Sequence, residues 1–309
     1  MTIDTAILTN EEKISFALRS LYQQRGYAPY RMSRFEEYEL YMKNKDFLHS
    51  PQVITFTDTN GKLMALKPDV TLSIVRAWRP VPGEVQKFYY DENVYRVSEN
   101  AGAFREIRQT GIECLGDRDG SSSREVLGLA LESLALISPE NHLCVSLLGI
   151  VENVLDSLQL HGDARRDALK CMGEKNVHEL RAVCENAGVT PRDTERIAGL
   201  TLCTAAPQEA AEALKAVGCP EASLDEAKRF VGSLPQESMG RLSLDFSILG
   251  DMRYYSTLAF QGYVRGVPSS VLSGGVYDRL LQRMGKPGRA IGFACYLDKL
   301  ERLEVGGHA

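Results

Sequence analysis

The chain has 309 residues, room for one large domain or two ordinary ones, and its 44% hydrophobic and 25% charged fractions are ordinary globular values. With 36 basic against 41 acidic residues the net charge is −5, and no basic run occurs, which argues against a dedicated nucleic-acid binder. The 7 cysteines are odd in number and lack Cys-x-x-Cys spacing, so neither a disulfide framework nor a zinc site is expected.

No stretch approaches the roughly 18 apolar residues of a membrane span, and Met1-Thr2-Ile3-Asp4 opens no secretion signal. A reducing cytoplasm is the expected compartment, with no metal and no cofactor. In chain order, residues 9–25 read as a helix: Thr9 and Glu12 have capping-box spacing, Ile14, Ala17, Leu18 and Leu21 share a face, and Gly26 ends it. Val53 to Asp58 and Lys62 to Leu66 flank Asn60-Gly61 and read as a hairpin. Asp69 to Trp78 looks helical. Val85 to Tyr95 and Phe104 to Leu115 are β-like, joined by a polar loop, Ser98 to Gly102. A second capping box, Ser122 and Glu125, opens a helix to about Ser138.

Composition changes after residue 150. Residues 151–235 are rich in Ala, Glu, Lys, Arg and Leu with Gly or Pro breaks, and read as a bundle of short helices inserted into the main domain. Strand chemistry returns at Leu242 to Leu249 and Tyr254 to Val264. Arg279 to Met284 reads as a short helix, and Ala290 to Cys295 as an apolar strand entering a final helix through Leu303. The expected fold class is α+β, a mostly antiparallel sheet flanked by helices. The expected domains are a discontinuous core, 1–150 and 236–305, around a helical insertion at 151–235. No Gly-x-Gly-x-x-Gly opens a helix and no P-loop occurs.

Four stretches carry polar groups suited to a ligand. In Leu66 to Thr71, Asp69 and Thr71 sit where a helix begins; a carboxylate there can accept from an ammonium group, or either residue can simply cap the helix. Alternation puts Arg105, Ile107, Gln109, Gly111 and Glu113 on one strand face, which is either a pocket wall or a solvated surface. Gly274 and Gly275 lie between an apolar strand and a helix, where backbone can approach a ligand or make a tight turn. Ala290 to Leu300 reads as a strand running into a helix.

Taken in order, these motifs resemble the core of class II aminoacyl-tRNA synthetases, and specifically the histidyl-tRNA synthetase group. Leu66 to Thr71 is similar to that group's Leu-Arg-Pro-Glu-x-Thr segment. Tyr95-Arg96 with Phe104 to Gly116 resembles motif 2. Tyr254-Tyr255 ends a segment normally written Arg-Gly-Leu-Asp-Tyr-Tyr, Gly274 to Asp278 resembles Gly-Gly-Arg-Tyr-Asp, and Ile291 to Leu300 resembles motif 3. The resemblance implies that Asp69, Thr71 and Gln109 hold the amino group of histidine. It implies that Glu113 and Tyr255, with Tyr254 beside it, read the imidazole, and that Arg96 contacts the carboxylate and the ATP α-phosphate.

Against that pattern the chain has lost cations. Gly250 stands where the family has the arginine of Arg-Gly-Leu-Asp-Tyr-Tyr, with Arg253 at the aspartate position. Ala103 replaces the motif 2 loop arginine, Ser98 the motif 2 glutamate, and Lys299 the motif 3 arginine. One lost preorganised cation typically costs about 2.7–4 kcal/mol of transition-state stabilisation, whereas binding of the amino acid rests on other groups. The sequence stops nine residues after Leu300, so the family's anticodon-binding domain is expected to be missing.

Such a chain resembles a group of synthetase-like regulatory subunits that act with the short catalytic subunit of ATP phosphoribosyltransferase at the first step of histidine biosynthesis. The resemblance implies no catalytic residues, a homodimer inside a hetero-oligomer, histidine as ligand, and neither nucleic acid nor membrane as partner. The alternatives are a divergent enzyme that activates an amino acid with ATP, kept open by Arg96, Arg105 and Lys299, and a free-standing amino-acid sensor.

Overall fold

Thr9 opens the first helix, α1 (Asn10–Gln24), through a complete capping box in which Glu12 N–H donates to Thr9 Oγ1 and Thr9 N–H to Glu12 Oε2. Ile14, Leu18 and Tyr22 recur every fourth residue and are buried along one face. The computed structural model describes residues 7–48, 52–97, 103–250, 252 and 254–300. Ser98, Arg253 and the expected helix beyond Leu300 therefore lie outside the described residues.

After α1 come β1 (Ala28–Pro29), β2 (Phe35–Glu37), α2 (Tyr38–Lys43), β3 (Thr55–Thr57), β4 (Leu63–Leu66) and α3 (Thr71–Ala77). The long strands β5 (Gln86–Val97) and β6 (Phe104–Asp117) lead to α4 (Ser122–Ile137) and β7 (Asn141–Leu147). A helical run follows: α5 (Leu148–Ser157), α6 (Gly162–Gly173), α7 (Val177–Asn186) and α8 (Pro191–Leu202). Then come β8 (Thr204–Ala205), α9 (Ala210–Ala216) and α10 (Glu221–Ser233). The chain closes with β9 (Leu242–Asp245), β10 (Leu258–Val264), β11 (Leu272–Val276), α11 (Asp278–Arg283) and β12 (Arg289–Tyr296).

Two compact units divide these elements: residues up to Asn141 with those from Tyr263 onward, and His142–Gly262. In the first unit the strands run in the order β1-β5-β6-β12-β11. All pairings are antiparallel except β1 with β5. Helix α1 packs on one face, where Tyr22 meets Tyr89 and Phe293 with ring centroids 6.3 and 6.0 Å apart. On that face half-buried Asp91 accepts from Arg108, Ser15 and Thr110, so its charge is matched. The hairpin expected around Asn60-Gly61 is β3–β4, and β2 adds to it as a separate sheet of order β2-β4-β3.

One expected helix start is corrected. Ser122 and Glu125 do not form a capping box, because Ser121 is the N-cap residue and has a helical backbone (φ −62°, ψ −30°) without a side-chain cap. Buried Asp117 supplies the acceptors instead, from Gly120 N–H at 3.2 Å and Ser122 N–H at 3.0 Å.

In the second unit β7 pairs parallel with β9, and β8 pairs antiparallel on the other side of β9. Strand β7 is an addition to the sequence reading. Leu143, Val145, Leu242 and Leu244 fill one face of this small sheet, and Cys144, Ser243 and Asp245 occupy the other. Helices α5 to α10 all fall between Leu148 and Ser233 inside this unit. All seven cysteines are free thiols, and six of them are buried. No helix among the described residues is long and apolar enough to cross a membrane.

Candidate functional site

Strand alternation, continued across the ladder, builds one polar sheet face in the first unit. Gln109 lies opposite Glu92 on β5 and Tyr296 on β12. Glu113 lies opposite Gly292, which in turn lies opposite Gly275 on β11. Directly opposed residues of antiparallel strands point to the same side. The row Arg105, Ile107, Gln109, Gly111 and Glu113 grades from exposed at Arg105 to buried from Gln109 onward, so its inner half is a buried polar wall rather than a solvated surface.

Glu113 is the most buried acid on this face, 1% exposed. Thr71, the first residue of α3, donates to Glu113 Oε1 at 2.5 Å, and the Tyr277 hydroxyl donates to Oε2. Burial pushes the Glu113 carboxyl up to about 8; the Thr71 and Tyr277 hydrogen bonds pull the other way, and nearby Asp69 adds to the rise. The side chain has room only because residue 292 is glycine: a Cβ there would stand 2.0 Å from Glu113 Oε2 and 2.4 Å from the Ile112 carbonyl oxygen.

Asp69 does two jobs. Its Oδ1 accepts Leu72 N–H at 2.8 Å, which makes it a cap for α3, and its charge faces Glu113. Gln109 is 4% exposed, between Glu92 and Tyr296 on the neighbouring strands. Arg96, half-buried at the far end of β5, uses Nε on the Pro68 carbonyl at 3.2 Å. It stands across the ladder from Arg105, which pairs with Asp298 at 3.3 Å. Lys67, fully buried, is matched by Glu92 at 2.8 Å.

The positions at which the sequence departs from the resembled motifs have settings of their own. Lys299 donates to the Ser270 carbonyl at 2.6 Å and its ammonium sits 4.6 Å from the centre of the Tyr296 ring. Burial lowers the Lys299 ammonium below its usual range, and Arg105 and Arg96 add to that against the raising effect of Asp298. Ala103 is exposed at the start of β6. In the second unit, Tyr254 and Tyr255 are buried edge-to-face, with centroids 5.0 Å apart. Gly250 has φ +57°, and a Cβ there would stand 2.6 Å from the Tyr255 ring. An arginine at 250 would be strained in this backbone and would crowd the Tyr255 ring.

Thr71, Glu113 and Tyr277 are thus in direct contact, with Asp69 beside them. Gly274 and Gly275 are buried in β11, opposite Phe293 and Gly292. Tyr277 and Gly292 are site residues that sequence reasoning did not single out. Tyr277 stood inside the Gly-Gly-Val-Tyr-Asp run, while Gly292 gave no local signal. The wall offers acidic acceptors at Asp69 and Glu113, an amide at Gln109 and a guanidinium at Arg96, the groups that a zwitterion with a polar ring requires.

The antiparallel core, the order of its strands and this wall define a class II aminoacyl-tRNA synthetase-like fold. The chain belongs to the histidyl-tRNA synthetase family: the family model described as Histidyl-tRNA synthetase matches residues 5–300. A protein of Alkaliphilus metalliredigens named ATP phosphoribosyltransferase regulatory subunit is 26% identical over 293 residues, covering 92% of this chain and 74% of that one. A protein of Geobacter metallireducens with the same name is 32% identical over 250 residues, covering 76% of this chain and 56% of its own length. A crystal structure from Bacillus halodurans, described as an ATP phosphoribosyltransferase regulatory subunit/histidyl-tRNA synthetase, superposes with a TM-score of 0.79. It is 25% identical and covers 94% of this chain and 78% of that one.

Proposed function

We propose that the chain is the regulatory subunit of an ATP phosphoribosyltransferase. In this reading it catalyses nothing itself, works in a hetero-oligomer with the short catalytic subunit at the first step of histidine biosynthesis, and binds histidine as the feedback signal. The observation that carries the reading is Gly250. Its left-handed backbone and its packing against Tyr255 disfavour the arginine that the resemblance puts there, while the groups suited to the amino acid remain. The names of the relatives point the same way.

Histidine fits the wall by its chemistry. Its ammonium suits Asp69 and Gln109, its carboxylate suits Arg96, and its ring suits Glu113, whose raised proton affinity lets it exchange a proton with an imidazole near neutral pH. Feedback needs only about 1–3 kcal/mol of coupling between this site and the partner's active site. A homodimer as the core of the assembly belongs to the same proposal.

The second reading, an enzyme that activates an amino acid with ATP, draws on the cations Arg96, Arg105 and Lys299. All three already have partners: Arg96 the Pro68 carbonyl, Arg105 Asp298, and Lys299 the Ser270 carbonyl and the Tyr296 ring. Histidine-dependent ATP–pyrophosphate exchange separates the readings. The regulatory reading expects none above background, and robust exchange would establish the enzyme.

A further inference from the structure

We propose that Tyr90 on β5 is a further residue of the amino-acid site, its hydroxyl accepting a hydrogen bond from the ligand's ammonium group alongside Asp69 and Gln109. This rests on the reading that the polar wall of the first unit binds histidine, and every residue it uses lies in that unit.

Rows of opposed residues cross the polar face of the sheet. One runs Glu92, Gln109, Tyr296; the next Tyr90, Gly111, Ala294, Ser273; and the next Glu113, Gly292, Gly275. In the last two rows a large polar side chain leans onto a glycine one strand further along. Glu113 fills the space over Gly292, and Tyr90 fills the space over Gly111, where a Cβ would stand 2.5 Å from Tyr90 Oη and 2.6 Å from Cζ. The line along β6 that alternation reads as Gln109, Gly111, Glu113 therefore presents an amide, a phenol and a carboxyl group. Tyr90 is set among the site groups by the same device that sets Glu113.

The chemistry around the phenol decides what it meets. Tyr90 is 2% exposed, and a phenylalanine would cover Gly111 equally well without the cost of burying a hydroxyl. Burial, with Glu113 and then Asp69 adding to it, holds that hydroxyl protonated well above the usual tyrosine range, so it stays a neutral group with lone pairs to offer. The cations of the wall are used elsewhere: Lys67 on Glu92 at 2.8 Å, and Arg96 on the Pro68 carbonyl at 3.2 Å. Asp69 gives Oδ1 to Leu72 N–H and keeps Oδ2 as a second acceptor. Three kinds of acceptor thus share one stretch of the wall: the Asp69 carboxylate, the Tyr90 hydroxyl and the Gln109 amide oxygen. An ammonium group, with three N–H donors and a positive charge, is the part of an amino acid that matches them.

Tyr90→Phe keeps the ring over Gly111 and removes the oxygen alone. In the full chain, Y90F is expected to melt within about 2 °C of the wild type, while its dissociation constant for histidine, by calorimetric titration, rises about tenfold. Imidazolepropionate, which is histidine without its amino group, has nothing to give that hydroxyl, so its weaker binding should change by less than about twofold between wild type and Y90F. Histidinol, which keeps the ammonium and lacks the carboxylate, should lose about as much as histidine does. Wild-type histidine affinity in folded Y90F would overturn the proposal, and so would an equal loss for histidine and imidazolepropionate, which would place the hydroxyl away from the ammonium. A wild-type chain that binds no histidine would instead refute the histidine reading on which the proposal rests.

Discussion

Gly292 stands directly across the β6–β12 ladder from Glu113, and the space a side chain would need at 292 is filled by the Glu113 carboxyl. The glycine and the acid are one feature: the first exists so that the second can lie flat on the sheet between Thr71 and Tyr277. Gly292→Ala should therefore push Glu113 out of reach of both donors. A stability loss of about 2–4 kcal/mol is expected in urea denaturation, with histidine affinity falling on the order of tenfold or more by calorimetric titration. Unchanged affinity with a normal fold would remove Glu113 from the binding site.

Glu113 also makes stability depend on pH. Its carboxyl is raised to about 8 in the folded chain, so the folded state holds a proton that the unfolded state releases near the ordinary glutamate value. Its contribution to stability is fully present below the unfolded value and is lost as pH rises from about 4.5 towards 8. Glu113→Gln removes this slope, and urea midpoints measured between pH 5 and about 9 should decline less for the variant than for the wild type. Parallel curves would mean that Glu113 is ionised in the folded protein at neutral pH.

Gly250→Ala tests the closed arginine position. The new Cβ meets the Tyr255 ring in a backbone conformation that L-residues disfavour, and a loss of about 1–3 kcal/mol is expected by chemical denaturation. Gly250→Arg should destabilise at least as much and should not bring about ATP–pyrophosphate exchange. Exchange by that variant would show that the position still opens onto an adenylation site.

Lys299→Ala removes a cation that the protein already uses on its own backbone, at Ser270 O. Stability should fall by about 1–2 kcal/mol, while stimulation of the catalytic subunit and inhibition by histidine stay within about twofold of the wild type. A larger functional loss in a folded variant, seen in phosphoribosyl-transfer assays, would tie Lys299 to a bound nucleotide.

Local chemistry was readable from the chain, and long-range chemistry was not. The Thr9–Glu12 box and the Asn60-Gly61 hairpin each depend on residues within a few positions, and both stand in the structure as read. The polar face of β6 was readable because strand alternation is strict. Asp117 was missed as the cap of α4 because it reaches forward five residues to Ser122, outside the capping-box pattern. Strand β7 was missed because it passes into α5 at Leu147–Leu148 with no glycine or proline between them. Gly292 and Tyr277 meet Glu113 across more than 160 positions, a distance that no local pattern encodes.

The most direct test of the regulatory assignment is to add this protein to a short ATP phosphoribosyltransferase catalytic subunit and follow phosphoribosyl transfer while titrating histidine. The assignment predicts activity that rises with the added chain and then falls as histidine binds, with the fall weakened by Glu113→Ala. Activity that ignores the chain, with or without histidine, would contradict it.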